Sequence, residues 1–321
     1  MRYIDVFNGD ADGICALIQL RLADPRDSQL VTGVKRDIAL LERVTARAGD
    51  QVTVLDISMD KNIAGLTQLL ARGATVFYAD HHFAGEIPTH HQLTALIDTN
   101  PEICTSMLVN RYLSGQFCAW AVVGAFGDNL FAAAEQLAEG LDLGNRLDDL
   151  KRLGIYVNYN GYGPSLDDLH FSPAELYNRL STFADPLEFI DGDRESFNRL
   201  ETGYNSDMAA AASTESHSEE VHAAVFLLPN KAWARRVSGV FGNDLANQFP
   251  GRAHAVVTER SDADYLISVR APLQNRTGAD EICRQFPSGG GRKAAAGVNQ
   301  LPRNRLDEFV RTFLDYYATD A

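Results

Sequence analysis

Apolar runs of strand length alternate, over the first hundred residues, with stretches whose apolar positions recur every three or four residues. That rhythm predicts parallel βαβ units. Tyr3 to Phe7 reads as a first strand, and Ile14 to Leu22 as a helix with apolar residues at Ile14, Leu17, Ile18 and Leu22. Leu30 to Val34 predicts a second strand, followed by a helix over Ile38 to Ala48. Gln51 to Leu55 and Thr75 to Tyr78 are further strands flanking a helix near Ala64 to Leu70, and Thr94 to Ile97 is a fifth strand. From about Cys104 to Glu201 the strand signal stops and helical periodicity takes over, including Trp120 to Phe126. Met208 to Glu220, rich in Ala, Ser, Thr and Glu, reads as a linker or an exposed connecting helix. Beyond it, Ala223 to Leu228, His254 to Glu259 and Tyr265 to Arg270 predict strands, with helices at Ala234 to Phe249, Thr277 to Phe286 and Arg305 to Tyr317.

The expectation is a doubly wound, mainly parallel α/β sheet domain carrying a helical layer, followed by a smaller α/β domain. The boundaries expected are 1–205 for the first domain, 206–221 for a linker and 222–321 for the second. A chain of 321 residues is long enough for two cores at about 150 residues each. Its 45% hydrophobic and 22% charged residues match ordinary globular chains, so no segment calls for disorder.

The N-terminus runs straight into an apolar strand without the zones of a secretory signal, and no apolar run approaches the roughly 20 residues that span a bilayer. A cytoplasmic location is expected. Cys15, Cys104, Cys118 and Cys283 form no CxxC pair and are expected to be reduced and mostly buried. The formal net charge is −14, and two divalent cations would still leave it near −10, a field that repels long polyanions. Small phosphorylated substrates are therefore favoured over long nucleic acid, and a homodimer remains open.

The chemistry lies where the strands end. Asp10 and Asp12, Asp56, the triplet Asp80-His81-His82, and Asp128 each follow an apolar run. In doubly wound sheets ligands bind beyond the carboxyl ends of the strands, so these side chains are candidates for a divalent-metal cage. Carboxylate and imidazole together suit manganese, iron or zinc better than magnesium alone.

The order Asn8-Gly9-Asp10-Ala11-Asp12-Gly13, Leu55-Asp56, Asp80-His81-His82, Gly127-Asp128 and Gly290-Gly291-Arg292 leading to Ala295-Ala296-Gly297 resembles the DHH phosphoesterase superfamily. Any one piece is weak, but five in the correct order are not. The resemblance covers both expected domains and is nearest to oligoribonuclease and exonuclease-type members. It implies hydrolysis of phosphodiester or phosphoanhydride bonds with two divalent ions, most simply manganese, with magnesium, cobalt or iron as alternatives. It implies Asp56 as the bridging ligand, Asp12, His81 and Asp128 on one ion and Asp10 on the other, with His82 facing the substrate phosphate. Asp80 is expected to orient a histidine rather than bind metal. Arg270 and the glycine turn with Gly290, Gly291 and Arg292 would hold substrate, so that metal cage and turn close on it from two domains.

The chain departs from the family pattern in three places. Many members have a histidine four residues before the first aspartate of DxD, where this chain has Val6, and related exonucleases often have an acid where it has Asn8. The first metal is thus expected to be short of ligands, with Asn8 either an amide donor or a turn residue. Arg292 stands where a histidine is usual; it binds phosphate but cannot act as an acid near neutral pH. There is no GxxxxGK[ST], which disfavours a P-loop.

Elsewhere the expectations are structural. His90 and His91 are expected on the surface, Asp148-Asp149 and Asp167-Asp168 on solvated faces, and Tyr156, Tyr159 and Tyr162 as a staple of the helical layer rather than a base-stacking platform. The function expected is a phosphoesterase for nucleotides, dinucleotides or short oligonucleotides. A single-strand exonuclease, a pyrophosphatase or polyphosphatase, and a non-catalytic nucleotide-binding regulator stay open.

Overall fold

The N-terminal unit is organised by a five-stranded sheet with every pairing parallel, in the order β2-β1-β3-β4-β5. The strands are β1 (Tyr3–Phe7), β2 (Ser28–Val31), β3 (Gln51–Leu55), β4 (Thr75–Asp80) and β5 (Leu93–Ile97). In this computed structural model residues 1–260 and 263–319 are described, and the chain divides into two units, Met1–Glu201 and Thr202–Ala321. Parallel strands covered on both faces need apolar side chains on both. On one face Ile4, Val6, Val52, Val54, Val76 and Tyr78 join Leu66, Leu69 and Leu70 of α2 (Met59–Ala71) in one core cluster. On β1 the opposite side carries Asp5, whose carboxylate is gripped by Arg21 of α1 (Ala11–Ala23), Nε at 2.7 Å and Nη2 at 2.5 Å.

Helix α1 is buried from Ala11 through Leu20, which explains why its apolar residues show no one-sided pattern. It packs on α3 (Thr105–Tyr112), α4 (Cys118–Gly127) and α6 (Leu147–Gly161), with α5 (Phe131–Ala138), α7 (Pro173–Leu180) and α8 (Pro186–Gly192) completing the helical layer. Gly127 and Gly154 allow the α4–α6 approach, since a Cβ on Gly154 would lie 2.3 Å from the Val123 carbonyl.

One predicted helix does not form. Over Ile38 to Ala48 there is only a 3-10 turn at Leu40–Arg43. Leu40, Leu41, Val44 and Ala46 still enter the core, because Asn62 of α2 satisfies the irregular backbone. Its Oδ1 accepts from Leu41 N at 3.1 Å and its Nδ2 donates to Ile38 O at 2.7 Å. The stretch Met208 to Glu220 is part helix, one of the two forms expected of it, and part strand. α9 (Arg194–Ala212) continues through its alanines, good helix formers, and Ser216–Glu219 is an edge strand, β6.

The second unit is a six-stranded sheet in the order β10-β11-β9-β8-β7-β6. β7 (Ala223–Leu228) and β8 (Ala253–Glu259) are parallel and joined through α10 (Ala232–Gln248), whereas β9 (Asp264–Arg270), β10 (Gly289–Gly291) and β11 (Ala295–Pro302) are antiparallel. α11 (Ala279–Cys283) and α12 (Leu306–Thr319) cover it, with Phe286, Phe309 and Phe313 in the core. The glycine-rich turn expected between the last helices is thus a β-hairpin. Its strands escape sequence patterning because glycine offers no side chain to pack.

Among the described residues no helix is long and apolar enough to cross a membrane. Among the described residues no disulfide joins the four cysteines, and Cys15, Cys104 and Cys283 are buried.

Candidate metal centre

The strand ends deliver the acids by different local devices. Asp10 is the N-cap of α1, its Oδ1 accepting from Gly13 N at 3.1 Å, and Asp12 lies in the first turn of that helix. The two therefore belong to the start of α1: the helix begins as soon as an aspartate can cap it. Asp12 in turn caps α3 from across the fold. Thr105 N donates to Asp12 Oδ2 and Ser106 N donates to Oδ1, both at 2.7 Å, which ties the DxD segment to the helix that follows β5. Asp56, directly after β3, has a φ of 59°, a left-handed backbone that is unfavourable for a residue with a Cβ. Its Oδ1 accepts from Thr105 Oγ1 at 3.0 Å. Asp128 is the C-cap of α4, followed by Asn129 at φ 63°.

His81 is where three of these acids, Asp12, Asp56 and Asp128, meet. Its Nδ1 lies 2.8 Å from the Ile103 carbonyl, which can only accept, so Nδ1 carries the proton and a neutral ring leaves the Nε2 lone pair unprotonated. Nε2 lies 3.5 Å from Asp56 Oδ1, 3.8 Å from Asp128 Oδ2 and 3.9 Å from Asp12 Oδ2. His82 Nδ1 is 2.7 Å from Asp80 Oδ1 and 3.8 Å from Asp56 Oδ1, while its side chain remains 32% exposed. Asp80, fully buried at the end of β4, thus partners His82 rather than His81. Ligand atoms of Asp56, His81 and His82 lie within 4.8 Å of one another. One neutral imidazole nitrogen facing three carboxylates is a donor set that a divalent ion fits.

The electrostatics agree with that fit. Burial, together with the charges of Asp10, Asp12, Asp80 and Asp128, pushes the Asp56 carboxyl well above the usual carboxylate range. Asp10 moves the other way. Burial alone would raise it, but the Lys35 charge and hydrogen bond and the Gly13 N–H hold it down to about 2. Lys35 lies in the segment after β2, outside every motif, and its Nζ bonds Asp10 Oδ2 and, at 2.9 Å, Asn158 Oδ1. Sequence patterning offers no signal for it, because a single lysine in a loop is ordinarily a solvated residue. Thr105 is equally silent.

Val6, at the position where a histidine is usual, is fully buried in the sheet core and contributes nothing to the centre. Asn8 is buried, its Nδ2 donating to Lys35 O at 3.3 Å, and its Oδ1 has no hydrogen-bond partner among the described residues. His90 and His91 stack on each other at 4.7 Å, apart from the centre's residues. Asp149 pairs with Arg146 and Arg152, and Asp168, expected on a solvated face, is buried. Tyr156, Tyr159 and Tyr162 are all buried in the helical layer, which leaves no stacking platform.

No protein-family profile and no curated protein sequence matches the chain. Its fold nevertheless matches solved structures along its whole length. Exonuclease RecJ bound to manganese shares 19% identity at a TM-score of 0.62, covering 99% of this chain and 90% of that one. RecJ in complex with Mn2+ from Thermus thermophilus gives 19% and 0.66, covering 99% of this chain and 52% of that one. The pGpG-specific phosphodiesterase PggH from Vibrio cholerae gives 14% and 0.57, with each chain covered in full. The chain has the fold of the RecJ and PggH structures. It spans about half the length of the Thermus thermophilus RecJ chain. Within that fold, the acids and histidines described above occupy one end of the parallel sheet, where such sheets bind ligands.

The remaining expected residues belong to the second unit. Arg270, the last residue of β9, donates from Nε to Asn243 Oδ1 at 2.5 Å and from Nη2 to Gly239 O at 3.2 Å, so α10 fixes its guanidinium. Gly290 and Gly291 pair with Gly297 and Ala296 across the hairpin, and Arg292 closes its tip, its N–H donating to Ala295 O at 2.9 Å. Gly291 has a φ of 142°, and a Cβ there would lie 2.5 Å from Ala296 Cα, whereas a Cβ on Gly290 would meet nothing within 4 Å.

Proposed function

We propose that this protein is a divalent-metal-dependent phosphodiesterase acting on nucleotides, dinucleotides or short oligonucleotides. The observation that carries the proposal is His81: its ring is locked by the Ile103 carbonyl and presents Nε2 to Asp12, Asp56 and Asp128 at 3.5 to 3.9 Å. These four residues would hold the metal, and manganese suits their mixed donors. A bound divalent ion supplies Lewis-acid neutralisation of phosphoryl oxygens and acidifies water toward neutrality.

The chain's own residues account for the rest. Thr105 donates its hydroxyl proton to Asp56, and the backbone N–H groups of Thr105 and Ser106 fix Asp12, so both carboxylates are oriented in advance. Asp80 holds His82 by Nδ1, which leaves Nε2 of a half-buried ring facing a phosphoryl oxygen, to which it would donate in the imidazolium form. In the second unit the residues proposed to bind phosphate are Arg270 and, at the hairpin tip, Arg292, because a guanidinium matches phosphate geometry. The small-substrate preference is supported by the net charge of −14, which opposes a long polyanion, and by the likeness in fold and length to a pGpG-specific phosphodiesterase.

The test is a manganese-dependent hydrolysis panel of pGpG, short RNA, single-stranded DNA and pyrophosphate, run beside Asp56→Ala and His81→Ala. Wild type should cleave the dinucleotide and short RNA fastest, and both variants should lose at least about a thousandfold, the scale of removing a metal's electrostatic contribution. Faster cleavage of long single-stranded DNA, with steeply salt-dependent binding, would transfer the assignment to an exonuclease. Activity unchanged in Asp56→Ala would end the metal-centre proposal.

A further inference from the structure

Lys35 occupies the place in the cage that is hardest to reconcile with two metal ions. In the ligand scheme implied by the family resemblance, Asp10 is the only carboxylate reserved for the first ion, and the histidine that usually supports it is replaced by the core residue Val6. Oδ1 of Asp10 accepts from Gly13 N, as the Asp12 oxygens accept from backbone N–H groups, but Oδ2 is engaged by the Lys35 ammonium, a cation that opposes a second one there. The same ammonium is 4.0 Å from Asp128 Oδ1 and 2.9 Å from Asn158 Oδ1.

Lys35 is also built in rather than draped over the surface. Its backbone N–H donates to Gly161 O at 2.8 Å, and its carbonyl accepts from Asn8 Nδ2. The chain packs here as closely as glycine allows: a Cβ on Gly9 would lie 2.0 Å from Gly33 O, and one on Gly161 would lie 3.1 Å from Asp10 Cα. The side chain is only 21% exposed, and its Nζ lies 5.4 Å from the Tyr162 ring centroid. An ammonium fixed by a carboxylate, an amide and an aromatic face is a permanent local charge.

We infer that Lys35 takes the place of one metal ion, its ammonium neutralising Asp10, so that the centre binds a single divalent ion through Asp12, Asp56, His81 and Asp128. The catalytic meaning of this arrangement rests on the phosphodiesterase proposal, but the ion count does not. In that reaction the ammonium would offset charge gathering on the phosphoryl oxygens, as a second cation would.

The experiment counts ions on the full chain after removal of divalent metal: manganese titration by calorimetry, metal content after dialysis, and the electron paramagnetic resonance spectrum of the loaded protein. Wild type should take up one equivalent and show the six-line hyperfine pattern of an isolated manganese ion. Lys35→Met, which keeps the length and removes the charge, should admit a second equivalent, with affinity for it raised roughly tenfold or more by loss of a nearby like charge. Lys35→Arg should stay at one. Two equivalents in wild type with an exchange-coupled spectrum would overturn the inference even if Lys35→Met fails to fold. So would a folded Lys35→Met with the wild-type count and affinity. One ion without hydrolysis of any phosphoester would sink the phosphodiesterase proposal alone, and two ions with hydrolysis would sink the ion-count inference alone.

Discussion

Asp56→Asn should reverse the usual sense of an active-site mutation: in metal-free buffer it gains stability relative to wild type as pH rises, while losing the divalent ion. The unfolded carboxyl titrates near 3.8, and in the folded chain burial and four neighbouring acids hold it well above that. Between those two values the folded chain carries one proton more than the unfolded chain. The stabilisation is fully present below the unfolded pKa and is lost as pH rises through the folded one, at about 1.4 kcal/mol per pH unit. Asparagine has no proton to lose at this position, so the difference between the two proteins isolates the effect. Asp10, held at about 2, acts in the opposite sense, its contribution being lost only as pH falls below the ordinary aspartate range, outside the window of interest. Urea unfolding of both full-length proteins with chelator, followed by far-UV circular dichroism at pH 5 and pH 6, should show wild type falling relative to Asp56→Asn, by at most about 1.4 kcal/mol. Manganese at a hundredfold excess over its dissociation constant should then restore about 2.7 kcal/mol to wild type and nothing to the variant. Parallel pH dependence in the two proteins would show that the acids do not converge on Asp56, and the centre as described would be refuted.

Other outcomes follow from single contacts. Asp80→Asn removes the carboxylate that orients His82 and should lower kcat about 10- to 100-fold with manganese content unchanged; loss of the metal instead would make Asp80 a ligand. Asp12→Ala deletes two charge-assisted hydrogen bonds to the start of α3 and should cost about 3 kcal/mol in chelator-treated protein, read by urea unfolding, with an unchanged midpoint as the contrary result. Gly291→Ala forces a Cβ onto Ala296 at a φ of 142° and should destabilise the second unit in a thermal melt, whereas Gly290→Ala, which meets open space, should melt as wild type. Equal melting of the two glycine variants would mean that the hairpin is not strained at Gly291.

Much of this architecture was legible along the chain. β1, β3 and β7 follow directly from short apolar runs, and the acids that follow β1 and β3 fall at one end of a parallel sheet by topology alone. Periodicity failed where side chains from other elements override local preference: Ile38 to Ala48 stays irregular because Asn62 supplies hydrogen bonds that a helix would have made internally. It failed again at β10, whose three glycines carry no pattern.

The order and identity of Asp10, Asp12, Asp56, His81 and Asp128 are properties of the sequence, since which donors exist is fixed by covalent structure. Which of them share a centre, which nitrogen of His81 is left to bind, and that Asp80 serves His82 are decided only by folding, because they depend on hydrogen bonds between segments far apart in the chain. Lys35 marks the difference most sharply. Nothing around it in the chain sets it apart, and only the close packing of Gly9, Gly33 and Gly161 brings its ammonium against Asp10.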